Sequence, residues 1–349
     1  MLQDDATAHP FEFHGRGGEY FRIWIVNLAL SIITLGIFSA WAKVRTKRYF
    51  NGSTFVAGHN FDYHASGYRI LIGRVIALTL LLGYQLSVVF FKPLVLVWVI
   101  VGLFVVPWLI ISSIRFNARN TSYRNVRFNF SAADMEAFVA YIVWPIVGFC
   151  TFGLLWPLAQ QKKDYFYVNN HNYGGRYFEA NFSVWRMYTI FAIALGLMIV
   201  FLVVIVAILV PLVPLILHKG NAGVAAAGHL LGLIFVVPFY IAMGMIAPLI
   251  HTMIVNLVTS ATVFDEKHRL QSTMSPFMMA WIMVSNALLT IITLGLFYPW
   301  AKVRAARYQL EHTTLFITGD AESYVSEVFE TQSAVGEEIG SFFSFDFGL

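Results

Sequence analysis

The chain has 349 residues, of which 58% are hydrophobic and only 12% are charged. Soluble domains carry about 25% charged residues, so this composition excludes an ordinary soluble protein and indicates a membrane protein with several helices. The net charge of +4 does not favour nucleic-acid binding, because the basic residues are grouped at the ends of apolar segments. The single cysteine, Cys150, excludes a disulfide framework and a cysteine-based metal site.

A first repeat unit is predicted at residues 1–127. Its opening stretch is acidic and has no apolar core, so no cleavable signal peptide is expected. An apolar, glycine-containing block at 20–48 comes next, and alternating aromatic and polar residues predict a β element at 49–66. Two apolar helices are predicted at 70–91 and 93–114. At about 1.5 Å per residue, each is long enough to cross a hydrocarbon core of about 30 Å.

The same order of elements recurs in a second unit at 128–269. Its predicted parts are a block at 138–163, a β element at 165–182 and two long helices at 187–217 and 229–258.

A truncated third unit is predicted at 270–319, and it keeps only its block at 278–307. The remaining residues, 320–349, form an acidic tail with interspersed aromatic residues. We expect this tail to lie in the cytoplasm. Acidic tails are usually solvated, but the aromatic residues that interrupt the acids also suit docking on the basic cytoplasmic face or on a partner protein.

Internal duplication is visible at the level of single residues. The segment from Asn27 to Tyr49 aligns without a gap with the segment from Asn286 to Tyr308, and the two share 15 of 23 residues. A more divergent middle copy keeps the Thr-x-Gly core. The turns predicted for the three blocks, and the prolines that follow two of them, are Gly36, Gly153, Gly295, Pro157 and Pro299.

The distribution of basic residues separates two topologies. If each block enters and leaves the membrane on one side, only Lys92 and Lys219 face outward and the other 21 Lys and Arg residues lie inside. That arrangement satisfies the positive-inside rule. If all seven apolar segments span the membrane, the bias is weaker, and the first two units form an inverted repeat, which is a recurrent plan of transporters.

We therefore predict an all-α polytopic membrane protein with small β-hairpins at the membrane surface. Four long helices span the bilayer, and three glycine-containing blocks are re-entrant helical hairpins. The alternative is seven spanning helices with inverted repeats. In the first arrangement both termini lie in the cytoplasm.

Several motifs together resemble one known family. They are the Phe-x-Phe lead-in at 11–13, the Gly-Arg-Gly-Gly-Glu-Tyr-Phe segment at 15–21, the Thr-Leu-Gly-x-Phe-x-x-Trp-Ala-Lys-Val-Arg block, and the endings at 336–340 and 346–349. The chain is similar over nearly its whole length to the YjgN-like family of bacterial inner-membrane proteins, whose function is unknown. The resemblance implies a location in the inner membrane of a Gram-negative bacterium, and it supplies no catalytic residues.

Polar residues that recur in the repeats, with one histidine in a long helix, form the first candidate site. They either make interhelical hydrogen bonds or line a polar path through a pseudo-symmetric core. These residues are Asn27, Asn286, Thr34, Thr151, Thr293 and His251.

Tryptophans and basic residues at the exits of the blocks form the second candidate site. They anchor the topology at the membrane interface, and the same charges can bind anionic lipid headgroups. These residues are Trp41, Lys43, Arg45, Arg48, Lys162, Lys163, Trp300, Lys302, Arg304 and Arg307.

No nucleophile–base pair, phosphate loop or metal-binding motif is recognisable, so we expect no catalytic site, cofactor or metal. His59 and His64 flank a short strand and point to opposite faces, which is poor geometry for one metal. The leading prediction is a transport-class protein, a pore or carrier for an apolar or lipid-like solute. The alternative is a membrane-organising scaffold that binds anionic lipids and recruits partners through the tail.

Overall fold

The computed structural model of the chain describes residues 6–217 and 220–319. The acidic tail predicted at 320–349 lies outside these residues, and so does Lys219. The helices are α1 (Gly17–Ile33), α2 (Ser39–Gly52), α3 (Gly67–Phe90), α4 (Leu94–Arg119), α5 (Asp134–Phe138), α6 (Trp144–Cys150), α7 (Trp156–Asn169), α8 (Val184–Leu217), α9 (Gly220–Ser260), α10 (Pro276–Ile292) and α11 (Tyr298–Glu311).

Five helical hairpins follow one another along the described chain, and three of them are short. Each short hairpin has a first arm of 17 residues and a second arm of 14. In the middle one, a π-helical turn at Val139–Val143 joins α5 to α6. Pro145, which has no N–H to donate, lies just after this turn, and a local bulge is an ordinary way for a helix to accommodate it.

The two long hairpins contain helices that are apolar and long enough to cross a membrane. The candidate spans are Gly67–Phe90, Leu94–Arg119, Val184–Ile208 and Pro238–Ser260. The side chains of these helices are largely exposed in the isolated chain, as expected for a surface that faces lipid.

All the strands of the described part belong to one sheet. They are β1 (Ala6–Pro10), β2 (Glu12–Phe13), β3 (Thr54–Val56), β4 (His59–Tyr63), β5 (Thr121–Tyr123), β6 (Val126–Phe130), β7 (His171–Tyr173), β8 (Arg176–Ala180), β9 (Thr262–Phe264), β10 (His268–Ser272) and β11 (Thr313–Thr318). Their order is β1-β11-β10-β9-β8-β7-β6-β5-β4-β3-β2, and every neighbouring pair is antiparallel.

This sheet is nearly closed into a barrel. Its two outermost strands, β1 and β2, are separated in sequence by Phe11 alone, and the Phe11 N–H donates to the Thr313 carbonyl at 2.9 Å. One short segment therefore pairs with β11 on one side and with β3 on the other. Tight turns connect the strands at one rim of the barrel, and the five helical hairpins leave and return at the opposite rim.

The prediction of an all-α protein with small separate β-hairpins is therefore wrong. The predicted β elements at 49–66 and 165–182 contain β3, β4, β7 and β8, but all the described strands join edge to edge into one 11-stranded sheet. The physical reason is that a two-stranded hairpin is marginally stable and leaves one row of N–H and C=O groups unpaired on each side. Pairing across the repeat units satisfies those groups, and pairs such as Ala6 with Thr318 are invisible to local sequence patterns.

The helices form a second ring above the barrel. Within the described residues each hairpin packs against the next, through α2 with α3, α4 with α5, α7 with α8 and α9 with α10, and α11 packs against α1 to complete the circle. The axis of the helix ring thus continues the axis of the barrel.

Inward side chains of the barrel form two layers, because alternate residues of a strand point to the same face. The layer farther from the helices contains Phe11, Phe61, Phe128 and Phe178. The layer nearer to the helices contains Phe13, Tyr63, Phe130 and Ala180, all of which are buried.

Candidate functional site

An apolar chamber lies inside the barrel. Its volume is about 260 Å³, and its wall includes side chains from each of the strands β3 to β11. Five phenylalanines form an arc around it, with ring centroids 6.3 Å apart for Phe11 and Phe61, 6.3 Å for Phe61 and Phe128, 6.4 Å for Phe128 and Phe178, and 4.6 Å for Phe178 and Phe264. An apolar cavity of about 150 Å³ is already large enough to take up benzene.

Two polar side chains, Arg124 and His268, border this chamber. Burial lowers the pKa of His268, which favours the neutral imidazole, although the nearby Asp265 carboxylate acts in the opposite direction. The His268 Nδ1 accepts a hydrogen bond from the Thr318 N–H at 3.3 Å. The chamber can therefore hold an aromatic ring or a short alkyl group, with few polar groups to orient it.

Four basic side chains lie on the helix side of the barrel, near the layer that contains Phe13 and Tyr63. Lys43 and Lys47 come from α2, Lys302 comes from α11, and Arg74 comes from α3. The Lys302 Nζ is 5.0 Å from the centroid of the Phe50 ring and 5.7 Å from that of Tyr20. We call Lys43, Lys47, Lys302 and Arg74 the inner basic cluster.

Burial and mutual repulsion lower the pKa values of this cluster. The pKa of Lys47 falls to about 8, mainly because of burial and further because of the positive charges of Lys43 and Lys302. Burial also lowers the pKa values of Lys43 and Lys302, and Arg74 contributes to the shift at Lys43. The three lysines lie outside the four candidate spans, whereas Arg74 lies within the span Gly67–Phe90.

In the middle hairpin, the positions that align with Lys43 and Lys47 carry a neutral and an acidic side chain instead of two lysines. Gln160 aligns with Lys43, and Asp164 aligns with Lys47. The Gln160 Nε2 donates to both Asp164 carboxylate oxygens, at 2.9 and 3.0 Å. Burial raises the pKa of Asp164, whereas this hydrogen bond and the charges of Lys163 and His251 lower it. His251, a predicted polar-path residue, therefore lies near Asp164.

The predicted glycine turns occupy the tips of the three short hairpins. Gly36, Gly153 and Gly295 have φ values of +91°, +87° and +92°, a conformation that favours glycine. Pro157 and Pro299 are buried in the first turn of the following helix, where a missing N–H costs nothing.

The three threonines at equivalent positions of the repeats, Thr34, Thr151 and Thr293, cap these tips. The Thr34 Oγ1 accepts from the Phe38 N–H at 2.9 Å, the Thr151 Oγ1 from the Leu155 N–H at 3.2 Å and the Thr293 Oγ1 from the Phe297 N–H at 3.0 Å. Each hydroxyl also donates to a carbonyl of the preceding helical turn. The threonines thus satisfy backbone groups of the turn.

Asn27 and Asn286 pair with predicted interface residues. Arg45 donates to the Asn27 Oδ1 at 3.3 Å, and Arg304 donates to the Asn286 Oδ1 at 3.3 Å. In the middle hairpin Trp144 aligns with Asn27, and Lys162 aligns with Arg45. The Lys162 Nζ is 6.0 Å from the centroid of a Trp144 ring. The outward basic residues are therefore bound to their own hairpin in all three units.

Trp41 and Trp300 lie at contacts between neighbouring hairpins. Trp300 covers Gly17 so closely that a Cβ added there would be 2.2 Å from the indole Cδ1, and Trp41 covers Gly67 with a corresponding distance of 2.6 Å. Both tryptophans therefore have a packing role in the helix ring, besides any role at the membrane interface.

The remaining predicted basic residues bond to nearby polar groups. The Arg307 Nη2 donates to the Gly15 carbonyl at 2.8 Å, the Arg48 Nε to the Tyr63 carbonyl at 3.4 Å and the Lys163 Nζ to the Gln160 Oε1 at 2.8 Å. They connect the helices to the barrel or support Gln160.

Sequence reasoning missed the chamber and the grouping of Lys47 and Arg74 with two predicted lysines. A signal for the first was present, because the aromatic-x-aromatic pattern of residues 11–13 recurs at 61–63 and 128–130. A signal for the second was the spacing of Lys43 and Lys47, which places them on one helix face.

Comparisons with known proteins identify relatives of the chain. The sequence matches the family described as bacterial protein of unknown function, DUF898, over residues 8–342. It is 23% identical to the inner membrane protein YjgN of Salmonella typhimurium over 370 aligned positions, which cover 91% of each chain. It is 33% identical to the inner membrane protein YjgN of Escherichia coli K12 over 130 residues, which cover 37% of this chain and 33% of that protein. No solved structure gives a significant match.

Proposed function

The chain belongs to the DUF898, or YjgN-like, family of inner-membrane proteins, and we propose that it is a transport-class member that binds a small apolar or lipid-like solute in its aromatic chamber. The observation that carries this proposal is the chamber itself, a space of about 260 Å³ on the axis of the helix ring. A cavity lined by aromatic and aliphatic side chains favours the uptake of apolar groups by burial of their surface.

The proposed orientation places the barrel in the cytoplasm. Among the described residues, the charged groups of the long hairpins lie near the barrel, apart from Lys92 at the far end of the α3–α4 hairpin. A cytoplasmic barrel then follows from the positive-inside rule.

The short hairpins are proposed to enter the membrane without crossing it. A first arm of 17 residues reaches only about 25 Å at 1.5 Å per residue, which is less than the hydrocarbon thickness. The tip residues Leu35, Phe152 and Leu294 are 94%, 99% and 94% exposed and have positive φ. Asn or Gly would suit that backbone better in water, so apolar tips in this conformation support insertion into lipid.

A substitution that fills the chamber with a larger side chain tests whether the solute binds there. Leu270 faces the chamber, and its neighbour Gln271 is exposed on the outside of the barrel. We expect Leu270→Trp to abolish binding of a neutral apolar probe, such as a fluorescent naphthalene derivative, because the indole occupies the space. Gln271→Trp, the matched control, should leave binding unchanged.

The consequence for transport is measured with the same pair of variants. Purified protein in liposomes should move the probe faster than empty liposomes do, and Leu270→Trp should remove the difference. Absence of probe binding by the unaltered protein, or equal binding by the two variants, would overturn the assignment of the chamber.

The alternative function is a membrane-organising scaffold, and one observation favours it. The outward basic residues Arg45, Lys162 and Arg304 are exposed in all three units. Wedge-like hairpins with basic flanks suit anionic lipid surfaces. Arg45→Gln combined with Arg304→Gln keeps a donor for each asparagine, and under this alternative it should reduce enrichment of phosphatidylglycerol around the purified protein.

A further inference from the structure

A groove of about 490 Å³ lies on the outer face of the barrel, where β10, β11 and β1 are neighbours. Arg269 of β10 and Phe316 of β11 are paired across the sheet and both line the groove. Both point outward, because their neighbours along each strand line the chamber and alternate residues of a strand face opposite ways. With Ala6 of β1, the partly exposed Phe316 forms an apolar wall of the groove.

Exposed charges also border the groove, and positive charge is in excess. Lys267, in the turn between β9 and β10, and Arg269 are both exposed. Glu266 of the same turn is the one carboxylate among the described lining residues. The described lining of the groove therefore has a net charge of +1, and its basic side chains lie beside an apolar wall.

The acidic tail begins at this groove. Thr318, the last residue of β11, lines the groove, and its hydroxyl donates to the Lys267 carbonyl at 3.2 Å. Gly319 follows with a φ of +89°, a conformation that turns the chain away from the strand direction. Asp320, the first residue of the tail, is thus separated from a lining residue of the groove by Gly319 alone.

The first part of the tail is complementary to the groove in composition. No Lys or Arg occurs between residues 320 and 349, and residues 320–330 also contain two aromatic side chains, Tyr324 and Phe329. The acids of this segment are Asp320, Glu322, Glu327 and Glu330. The stretch of β10 from Lys267 to Gln271 is about 13 Å long at about 3.3 Å per residue, so 11 residues are long enough to follow it.

We propose that residues 320–330 dock in this groove, with carboxylates against Lys267 and Arg269 and an aromatic side chain against Phe316. Covalent attachment makes a weak contact sufficient. A short linker gives an effective concentration of about 1 mM, so a segment with a Kd of about 0.1 mM is docked in about nine molecules of ten. Docking covers the pairing of β11 with β1, which helps to close the barrel.

Docking of the tail is independent of the proposed function. The groove and the chamber lie on opposite faces of the same strands, and docking requires neither solute binding nor insertion of the hairpin tips. A chamber that binds no probe leaves the groove available to the tail. A tail that does not dock leaves the chamber available to a solute, so the two failures are distinguishable.

The internal repeat supplies a matched control position. Arg127 of β6 aligns with Arg269 of β10, and both are exposed arginines on the outer face of the barrel. In the strand order β6 is four places from β10, so Arg127 lies away from the groove. A change of charge at Arg127 therefore alters the barrel surface without altering the proposed contact.

The test uses the full chain, purified in a neutral detergent. The photoreactive residue p-benzoylphenylalanine replaces Gln271, which is exposed and lines the groove, and monomeric cross-linked protein is digested with trypsin. Because no Lys or Arg follows Arg307, the tail is released within the peptide 308–349. We expect this peptide to be joined to 270–302 through a residue of 320–330, rather than only through the neighbouring strand β11.

Reversal of the groove charge should release the tail. Arg269→Glu replaces an attraction by a repulsion, so we expect at least about a threefold loss of cross-links to 320–330, whereas Arg127→Glu should change them by less than about 1.5-fold. A second variant changes only the tail, through Glu322→Gln, Glu327→Gln and Glu330→Gln. It should give a comparable loss, and an unaltered barrel excludes unfolding as the cause.

Four results would overturn the inference. The first is a residue at 271 that forms no cross-link to 320–330. The second is an equal effect of Arg269→Glu and Arg127→Glu. The third is cross-linking between two copies of the chain in place of monomeric product, which assigns the groove to the tail of a second copy. The fourth is a cross-link to 320–330 from position 270 in the chamber but not from 271, which assigns the tail to the chamber.

Discussion

The closure of the helix ring depends on a contact between Trp300 and Gly17, and adding one methyl group to Gly17 should break it. The Cβ of an alanine at this position would lie 2.2 Å from the Trp300 Cδ1 and 2.8 Å from its Nε1. The indole is held by Phe21, with ring centroids 4.9 Å apart, and by Phe297 at 6.2 Å. It cannot turn away without losing these ring contacts.

The change in the free energy of unfolding caused by Gly17→Ala is the sum of two destabilising contributions and one stabilising contribution. Overpacking costs about 1–3 kcal/mol, and the disrupted aromatic pair adds about 0.5–1.5 kcal/mol. Replacing glycine by alanine near a helix start stabilises the folded state by at most about 1 kcal/mol. We expect Gly17→Ala to destabilise the protein by about 1–3 kcal/mol, which corresponds to a fall of about 2–12 °C in apparent Tm by the scaling of medium-sized domains.

The matched control is Gly18→Ala. Gly18 is the next residue of the same helix, and a Cβ added there meets nothing within 4 Å. We expect this variant to match or exceed the apparent Tm of the unaltered protein, measured by intrinsic fluorescence in one detergent at one heating rate. In a Trp300→Leu background, Gly17→Ala should cost no more than Gly18→Ala. Equal apparent Tm values for Gly17→Ala and Gly18→Ala in the unaltered background would refute the proposed closure.

Two further predictions concern the tips of the short hairpins. In a Cys150→Ser background, a cysteine replacing Leu35 should react with a membrane-permeant maleimide and resist an impermeant one from both sides; labelling from the periplasm would contradict insertion to half depth. Thr293→Val should cost about 1–3 kcal/mol because the Phe297 N–H loses its acceptor, whereas Thr293→Ser should keep the apparent Tm, and equal values for the two would exclude the cap.

The tips show how much of a local structure the sequence can predict. The Thr-Leu-Gly pattern predicted a turn in each block, and Gly36, Gly153 and Gly295 lie in turns with positive φ. This was predictable because turn formation depends on neighbouring residues and on the backbone freedom of glycine. The membrane depth of these tips stays a prediction.

The β elements show the limit of local patterns. Alternation identified the strand regions, yet β3 pairs with β2 and β11 pairs with β1 across long separations in sequence. A three-residue strand such as β5 carries too little information to specify its second neighbour. The expected fold class was wrong for that reason, although the candidate spans were recognisable from their length and hydropathy.

The sequence by itself determined that the chain is a membrane protein, because hydropathy and charge distribution are properties of the chain alone, and the similarity of residues 27–49 to 286–308 predicts repeated units. Only the tertiary structure decided that the strands close into a barrel, that Phe11 and Phe264 face one chamber, and that Lys47 and Lys302 share one interior. The physical reason is that barrel closure and helix packing depend on contacts between residues far apart in sequence, and such contacts leave no periodic trace in either segment.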